Sequence, residues 1–375
     1  MTLRRLKRER SELGSLALFV DLDEHERGSS LRDVRRRQHV VAEISRGLDE
    51  SLANAARLHG WRVQTLFKAV VVELGGARLI KDEDEGECYS EEGAMVKLPD
   101  YRLVLGDGEM ILVEVKNVAP GAPEAKIGLG EVEALERYTE LNGARLLFAH
   151  YWSQANLWSL VDASVLARES AATLKLTDAL PANEMGFLGD ATIATTPPLA
   201  LRLQADPEAP RTLGAEEAGG HRRATFTIDD VEVLAAGAVL VDEEEQRIAQ
   251  ALMQLGGWEV EETASIDEND EVVSVDFTHR PSEEQPGVPH HQVAPLSSLY
   301  SAAFNQATLD EDGAPSRLAV DPEPGRMSGL IPSDYWGKGE RTPPPLSLSL
   351  SLWRFELYPS VGPRAEERSL HQEDT

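Results

Sequence analysis

Pro99-Asp100 is followed, fourteen residues on, by Glu114-Val115-Lys116, and these are the residues whose types and spacing could do chemistry. Side chains two apart on a strand share a face, so Glu114 and Lys116 point one way while Ile111, Val113 and Val115 point the other, into a core. Charged groups on so apolar a strand need partners or a metal. A hairpin that brings Asp100 alongside Glu114 sets two carboxylates against each other, and a hard divalent cation, Mg²⁺ or Mn²⁺, relieves that repulsion. Lys116 beside them can orient or deprotonate an attacking water and stabilise charge on a phosphate. The chemistry implied is hydrolysis of a phosphodiester.

The pairing of the two strands decides whether this works. Tyr101 to Leu105 reads as one strand, Gly106-Asp107-Gly108 as the turn and Met110 to Val118 as the next strand. A two-residue turn would set Tyr101 opposite Glu114 and turn Asp100 toward the core. A three-residue turn, with Gly108 left-handed, sets Leu105 opposite Glu109 and Asp100 opposite Glu114. A metal site demands the second register.

The elements around this hairpin follow from hydrophobic period. Leu31 to Leu58 reads as a helix stopped at His59-Gly60, and Trp61 to Leu74 as a second helix stopped at Gly75-Gly76. Arg78 to Ile80 is a short strand, followed by an acidic loop from Lys81 to Glu92. Beyond the hairpin, Leu129 to Leu141 is a helix ended by Asn142-Gly143. Arg145 to Ala149 and Leu157 to Val161 are strands. The order predicts an α/β protein: an α/β/α core with a central mixed sheet over residues 31–165. An N-terminal arm (1–30) would precede it, and a connector (166–222), a second α+β domain (223–360) and a disordered tail (361–375) would follow. In the second domain Thr225 to Val233 reads as a strand and Asp242 caps a helix ending at Gly256-Gly257. Trp258 to Glu262 pairs with Val272 to Phe277, residues 280–345 are loop-rich, and Leu346 to Leu352 alternates as a half-buried strand. Leu-Gly-Gly recurs at 74–76 and 255–257, as a degenerate repeat or as two helix stops. No Glu-x-Lys follows the second, so the C-terminal half reads as non-catalytic.

The motif and its setting over about residues 45–165 resemble the PD-(D/E)XK nuclease superfamily, the restriction-endonuclease-like fold, and within it the archaeal Holliday-junction resolvases and Mrr-type restriction proteins. The resemblance implies a metal-dependent DNA endonuclease of restriction, defence or recombination repair. Asp100, Glu114, Lys116 and Gln64 would be its catalytic residues, and Asp100, Glu114 and Val115 would hold the metal. Gln64 stands where such proteins often carry an acid on the preceding helix, which would make it a weaker ligand through its amide oxygen. Glu73 and Glu50 are possible substitutes. On the helix after the lysine strand, Glu133 or Glu136 would face the metal. The alternative is an inactive nuclease-like fold that holds DNA or a partner subunit; an RNA substrate stays open, and on either reading a homodimer or a partner subunit is expected.

The formal net charge of −28 argues against a nucleic-acid partner on its face. The acid excess lies downstream of residue 70, however, and Arg32, Arg35, Arg36 and Arg37 form a basic cluster that either tracks a phosphate backbone or is a solvated helix face. Scarce lysine beside abundant Asp and Glu suggests adaptation to high salt, where a pervasive acidic surface is screened. The single cysteine, Cys88, permits no intramolecular disulfide and suits a reducing cytoplasm, and no apolar run is long enough to span a bilayer. His279, His290 and His291 read as surface histidines rather than ligands, and Trp152 and Trp158 as core rather than base-stacking platforms.

Overall fold

A computed structural model describes residues 3–4, 34–83, 90, 95–216, 222–331 and 349–364. The N-terminal arm, save Leu3 and Arg4, and Arg32, Cys88 and residues 365–375 lie outside the described residues.

Two helices open the described chain, α1 (Val34–Leu52) and α2 (Ala55–Leu74). The break falls six residues before the expected stop at His59-Gly60, which α2 runs straight through. Its start is set by Asn54, whose side chain accepts from the Arg57 amide at 3.1 Å and so satisfies one of the orphan donors of the first turn. Gly60 weakens the helix without ending it. The C-terminus is as expected: Gly75 takes the left-handed conformation at φ +72°.

The chain then builds a five-stranded mixed sheet from β1 (Leu79–Asp82), β2 (Tyr101–Val104), β3 (Met110–Val118), β5 (Arg145–Trp152) and β6 (Leu157–Asp162), in the order β1-β2-β3-β5-β6. All neighbours are antiparallel except β3 and β5, whose parallel pairing is bridged by the short strand β4 (Ala125–Ile127) and helix α3 (Leu129–Leu141). Period-two alternation sorts the side chains of β3 and β5 into two apolar clusters. Ile111, Val113, Val115, Leu147 and Ala149 pack with Val63, Leu66, Phe67 and Val70 of α2. Val118, Leu146, Phe148 and Trp152 pack with Val132 and Leu135 of α3. The sheet is thereby covered by a helix on each face.

The described part of residues 166–222, expected as a connector with short strands such as Leu199 to Leu203, carries such strands and more. β7 (Ala167–Arg168) and β8 (Ala172–Leu174) join β4 in a small sheet. β9 (Thr192–Thr195) is the middle strand of a sheet with β17 (His291–Pro295) and β18 (Leu352–Phe355), and β10 (Leu199–Ala205) centres a second five-stranded sheet. β11 (Thr212–Glu216) and β12 (Arg222–Thr225) form a hairpin. The expected strand at Thr225–Val233 lies at β13 (Ile228–Ala235), beside β14 (Ala238–Val239). Asp242 caps α4 (Glu243–Leu255), accepting from the amides of Glu244 and Glu245, and β15 (Glu259–Ile266) pairs with β16 (Val272–Arg280). The alternating stretch before Leu352 forms its strand later, at β18, and residues 346–348 lie outside the described ones.

One helix within the stretch expected to be loop-rich was not foreseen: α5 (Leu296–Thr308). Serines inside a helix read as loop, because their hydroxyls compete for backbone groups. Here Ser301 donates to the Ser297 carbonyl at 2.7 Å, and the buried Leu296, Leu299, Tyr300 and Phe304 keep helical spacing. This helix packs on α2, where buried Arg62 donates to Asn305 and Thr308 at 2.8 and 3.0 Å. The apolar cluster on the α2 face runs on through Leu199, Val233, Ile248 and Leu299 to Leu352, so both halves of the chain share it. Of the expected tail, Arg364 is docked on Asp107 and Glu109.

The two Leu-Gly-Gly segments do different work. Gly75 is left-handed, whereas Gly256 is extended at φ −75°, so the segments are separate helix stops. Gly76 lets the backbone of Leu188 approach, donating to its carbonyl at 3.0 Å, and a Cβ at Gly76 would lie 2.2 Å from the Leu188 carbonyl carbon. Gly60, by contrast, has nothing within 4 Å of such a Cβ. Gly76→Ala should therefore destabilise the protein by about 2 kcal/mol or more, while Gly60→Ala should stabilise it by up to about 1 kcal/mol. Urea unfolding of both variants checks the pair, and equal shifts would contradict this packing.

Candidate active site

The hairpin between β2 and β3 adopts the three-residue turn. The Leu105 amide donates to the Glu109 carbonyl at 2.9 Å, the Gly108 amide to the Leu105 carbonyl at 3.1 Å, and Gly108 is left-handed at φ +99°. Tyr101 pairs with Val113 and Arg102 with Leu112, so Asp100, one step before β2, stands at the level of Glu114. Asp100 spans the end of the ladder. Its Oδ2 accepts from the Val115 amide at 2.7 Å and its Oδ1 from the Gln64 side-chain amide at 2.7 Å. The Tyr101 hydroxyl donates to the Gln64 carbonyl at 2.9 Å and fixes α2 against the strand.

Glu114 is 3% exposed. Its Oε1 accepts from Lys116 Nζ at 2.8 Å and from Lys97 Nζ at 2.8 Å. Both ammonium groups also reach Glu131 Oε1 on α3, Lys116 at 2.9 Å and Lys97 at 2.5 Å. Two carboxylates and two ammonium groups thus alternate around a closed ring. Lys97 and Glu131 were not singled out from the sequence, where Glu133 and Glu136 of the same helix were. The helix turns those two away: Glu133 pairs with Arg137 and Glu136 with Arg168. The signal that could have found Lys97 is its place three residues before Asp100, on a segment tied to α3 by its amide to the Ala134 carbonyl at 3.0 Å and by Arg137 to the Met95 carbonyl at 2.8 Å.

The charges of the ring are mutually held. Burial opposes the charge of Lys116, but Glu114 and Glu131 outweigh it and raise its pKa; Lys97 behaves alike. Burial likewise works against Glu131, yet the two lysines lower its pKa. Lys116 as placed therefore carries its proton firmly, which suits orienting water and neutralising phosphate charge and not accepting a proton. Asp100 is different. Burial first, and then the Glu114 charge, push its carboxyl up to about 7.

Across the parallel pairing, Lys116 stands beside His150, which is fully buried with neither ring nitrogen hydrogen-bonded. Burial, and then the Lys116 charge, lower its pKa to about 3, so it is a neutral wall flanked by Phe148 and Trp152.

The remaining candidates fall elsewhere. Gln64 presents the donor end of its amide to Asp100, so as placed it supports that carboxylate and is not a ligand. Val115 has an apolar, buried side chain, and only its backbone meets the cluster. Glu73 is buried and committed to the Glu323 amide at 2.8 Å and to Arg326 at 3.0 Å. Glu50 is exposed on α1, as are Arg35 and Arg37, with Arg36 half-buried there. Trp152 and Trp158 are buried and donate to Ser159 and Ser301, as core residues do. His290 bonds Ser351 at 2.8 Å.

Among the described residues no group of three or more His, Cys, Asp or Glu side chains gathers to hold a metal. A magnesium ion asks for less: one or two carboxylates, with water completing its shell. Asp100 and Glu114, level with each other across β2 and β3, could supply those carboxylates. Together they fit one such ion.

No family model matches the chain, and a search of curated proteins finds no match. Among solved structures, a Holliday junction resolvase from Archaeoglobus fulgidus aligns with 30% of this chain and 88% of its own, at 20% identity and a TM-score of 0.25. A likeness so distant carries no weight for function, which must be read from the geometry.

Asp100 yields a pH prediction. Its folded pKa is raised, so protonated Asp100 contributes stability that is fully present below about pH 4. That stability is lost as pH rises through about 7. Without divalent ions, Asp100→Asn should be more stable than the parent at pH 8, and the difference should shrink toward pH 4. Thermal unfolding across this range tests it, and a parent that is the more stable of the two at pH 8 would show that Asp100 is not under strain.

Proposed function

We propose that this protein is a metal-dependent nuclease that hydrolyses phosphodiester bonds in DNA. The observation that carries the reading is the register of β2 on β3, in which Asp100, one step before β2, stands level with Glu114, whose carboxylate accepts from Lys116. Asp100 and Glu114 would hold a single Mg²⁺ or Mn²⁺. When bound, such an ion neutralises charge on the scissile phosphate and lowers the pKa of a coordinated water.

The residues of this chain account for the rest. Lys116 is held protonated and donates toward whatever oxygen takes the place of its carboxylate partners, so it orients water and balances the phosphorane charge that develops. Lys97 converges on the same point and adds a second donor, which a phosphate can draw away from Glu114 and Glu131. Glu131 keeps both ammonium groups in place until then. Gln64 and the Val115 amide fix the carboxylate of Asp100, and neutral His150 closes the far side against water. The ring of ion pairs around Glu114 also suits a fold that binds nucleic acid without cutting it, and that reading makes the opposite prediction about activity.

Plasmid, linear, branched and single-stranded DNA incubated with Mg²⁺ or Mn²⁺, and with EDTA, separate the two. Cleavage should appear with either ion and vanish with EDTA. Lys116→Ala should reduce cleavage by at least about a hundredfold while DNA binding and the fold persist. Asp100→Ala and Glu114→Ala should lose cleavage together with Mn²⁺ binding. Parental rates in any of the three would refute the assignment, and binding without cleavage in the parent would leave the inactive fold in its place.

Nucleic-acid affinity is proposed to reside in Arg32, Arg35, Arg36 and Arg37. Replacing all four with Ala should weaken DNA binding and flatten its dependence on salt, measured by fluorescence anisotropy across a salt series. An unchanged affinity and slope would place the DNA elsewhere.

A further inference from the structure

The ring of ion pairs has an inner and an outer carboxylate. The Glu114 side chain, 4% exposed, is its floor, and that of Glu131, 33% exposed, faces solvent. Lys97 and Lys116 both donate to the same Glu131 atom, Oε1, at 2.5 and 2.9 Å. Two ammonium groups that meet on one carboxylate oxygen can equally meet on one phosphate, for which lysine is an apt point charge. The Glu131 oxygen therefore stands where such an anion would be held, and an anion arriving from solvent must displace it.

Glu131 is the carboxylate that can leave. It is the third residue of α3, after Leu129 and Gly130, and the N-cap of that helix is Gly128, which brings no side chain to bond the first turn. An acid at the third helical position can reach back to the N-cap amide, where the positive end of the helix dipole favours it. A displaced Glu131 thus has a second place to go. Glu114 has no such freedom, because it is buried in the middle of β3 between Val113 and Val115. Once Glu131 departs, two lysines face one carboxylate of the ring, and a neutral arrangement becomes a positive one.

We infer that Lys97 and Lys116 form a phosphate subsite whose place Glu131 takes as a built-in competing anion, so that Glu131 sets how tightly a phosphate is held. The inference deepens the nuclease reading and rests on it for the source of the ligand, a phosphate of the DNA backbone. Glu133 and Glu136 carry the same charge on the same helix but pair with Arg137 and Arg168, so they compete for neither lysine.

Isothermal titration calorimetry of the full chain with inorganic phosphate, in EDTA at fixed ionic strength, tests this without metal or cleavage. Glu131→Gln keeps the shape of the side chain and removes its charge, and it should bind phosphate about tenfold more tightly than the parent. Glu131→Ala should show a similar gain, both variants keeping the parental far-UV circular dichroism. Glu133→Gln and Glu136→Gln should each change the affinity by less than about twofold, since a charge that bonds neither lysine acts only through screened solvent. Lys97→Ala added to Glu131→Gln should abolish the gain. No detectable phosphate binding by Glu131→Gln, an affinity equal to the parent's, an equal gain from Glu133→Gln or Glu136→Gln, or a gain that survives the loss of Lys97 would each overturn the inference. DNA cleavage with Mg²⁺ is a separate readout. A tightened phosphate site in a chain that cuts no DNA upholds the subsite and removes the nuclease reading, whereas cleavage by the parent with no gain in Glu131→Gln upholds the nuclease and removes the competing anion.

Discussion

Everything at the candidate site hangs on one turn of three residues. Gly106-Asp107-Gly108 closes the β2–β3 hairpin with Gly108 in a conformation that side chains resist, and Asp107 braces it by accepting from the Glu109 amide at 2.9 Å. One residue fewer would shift the register and send the Asp100 carboxylate to the apolar face, among Val63, Phe67 and Val113. The same register keeps Ile111, Val113 and Val115 in the core shared with α2, so slipping it would also cost the packing of the sheet. The carboxylate pair is thus enforced by hydrophobic burial on the opposite face of the same strand.

Burial sets the electrostatics in turn. Glu114 is too deep to be left as a lone charge, and two lysines from separate segments reach in to balance it. Among the described residues no ammonium group is hydrogen-bonded to Asp100. It has only neutral donors, the Val115 amide and the Gln64 side chain, and therefore sits near half-ionisation at neutral pH. Glu114 is compensated by two ammonium groups, whereas the hydrogen-bond partners of Asp100 among the described residues are neutral.

The C-terminal half takes part in this through packing. α5 lies on α2, joined by Arg62 to Asn305 and Thr308, and the backbone at 323–327 is tied to α2 by buried Glu73 and the Val72 carbonyl. α2 carries Gln64, so the second half of the chain steadies the helix that reaches Asp100. None of the described helices is long and apolar enough to cross a membrane.

The sequence by itself determined what depends on local pattern. Period-two alternation marked Met110 to Val118 as a strand with Glu114 and Lys116 on one face, while the sequence left two turn lengths open and only the demand of a carboxylate pair favoured the three-residue one; Asn142-Gly143 marked the end of the helix from Leu129, and Asp242 the start of the next. Tertiary structure decided what depends on partners distant in the chain. Nothing near Glu131 in sequence shows that it meets Lys97 and Lys116, because the crossover through β4 and α3 brings it to them. Glu133 and Glu136 were the wrong acids of α3 for a geometric reason: the face of the helix turned to the sheet is fixed by Val132 and Leu135, which seat in the core, and Glu131 is the acid beside them that faces Lys116. The serine-rich α5 was illegible for the same kind of reason. Its helical state is bought by burial against α2 and α4, and propensity alone reads against it.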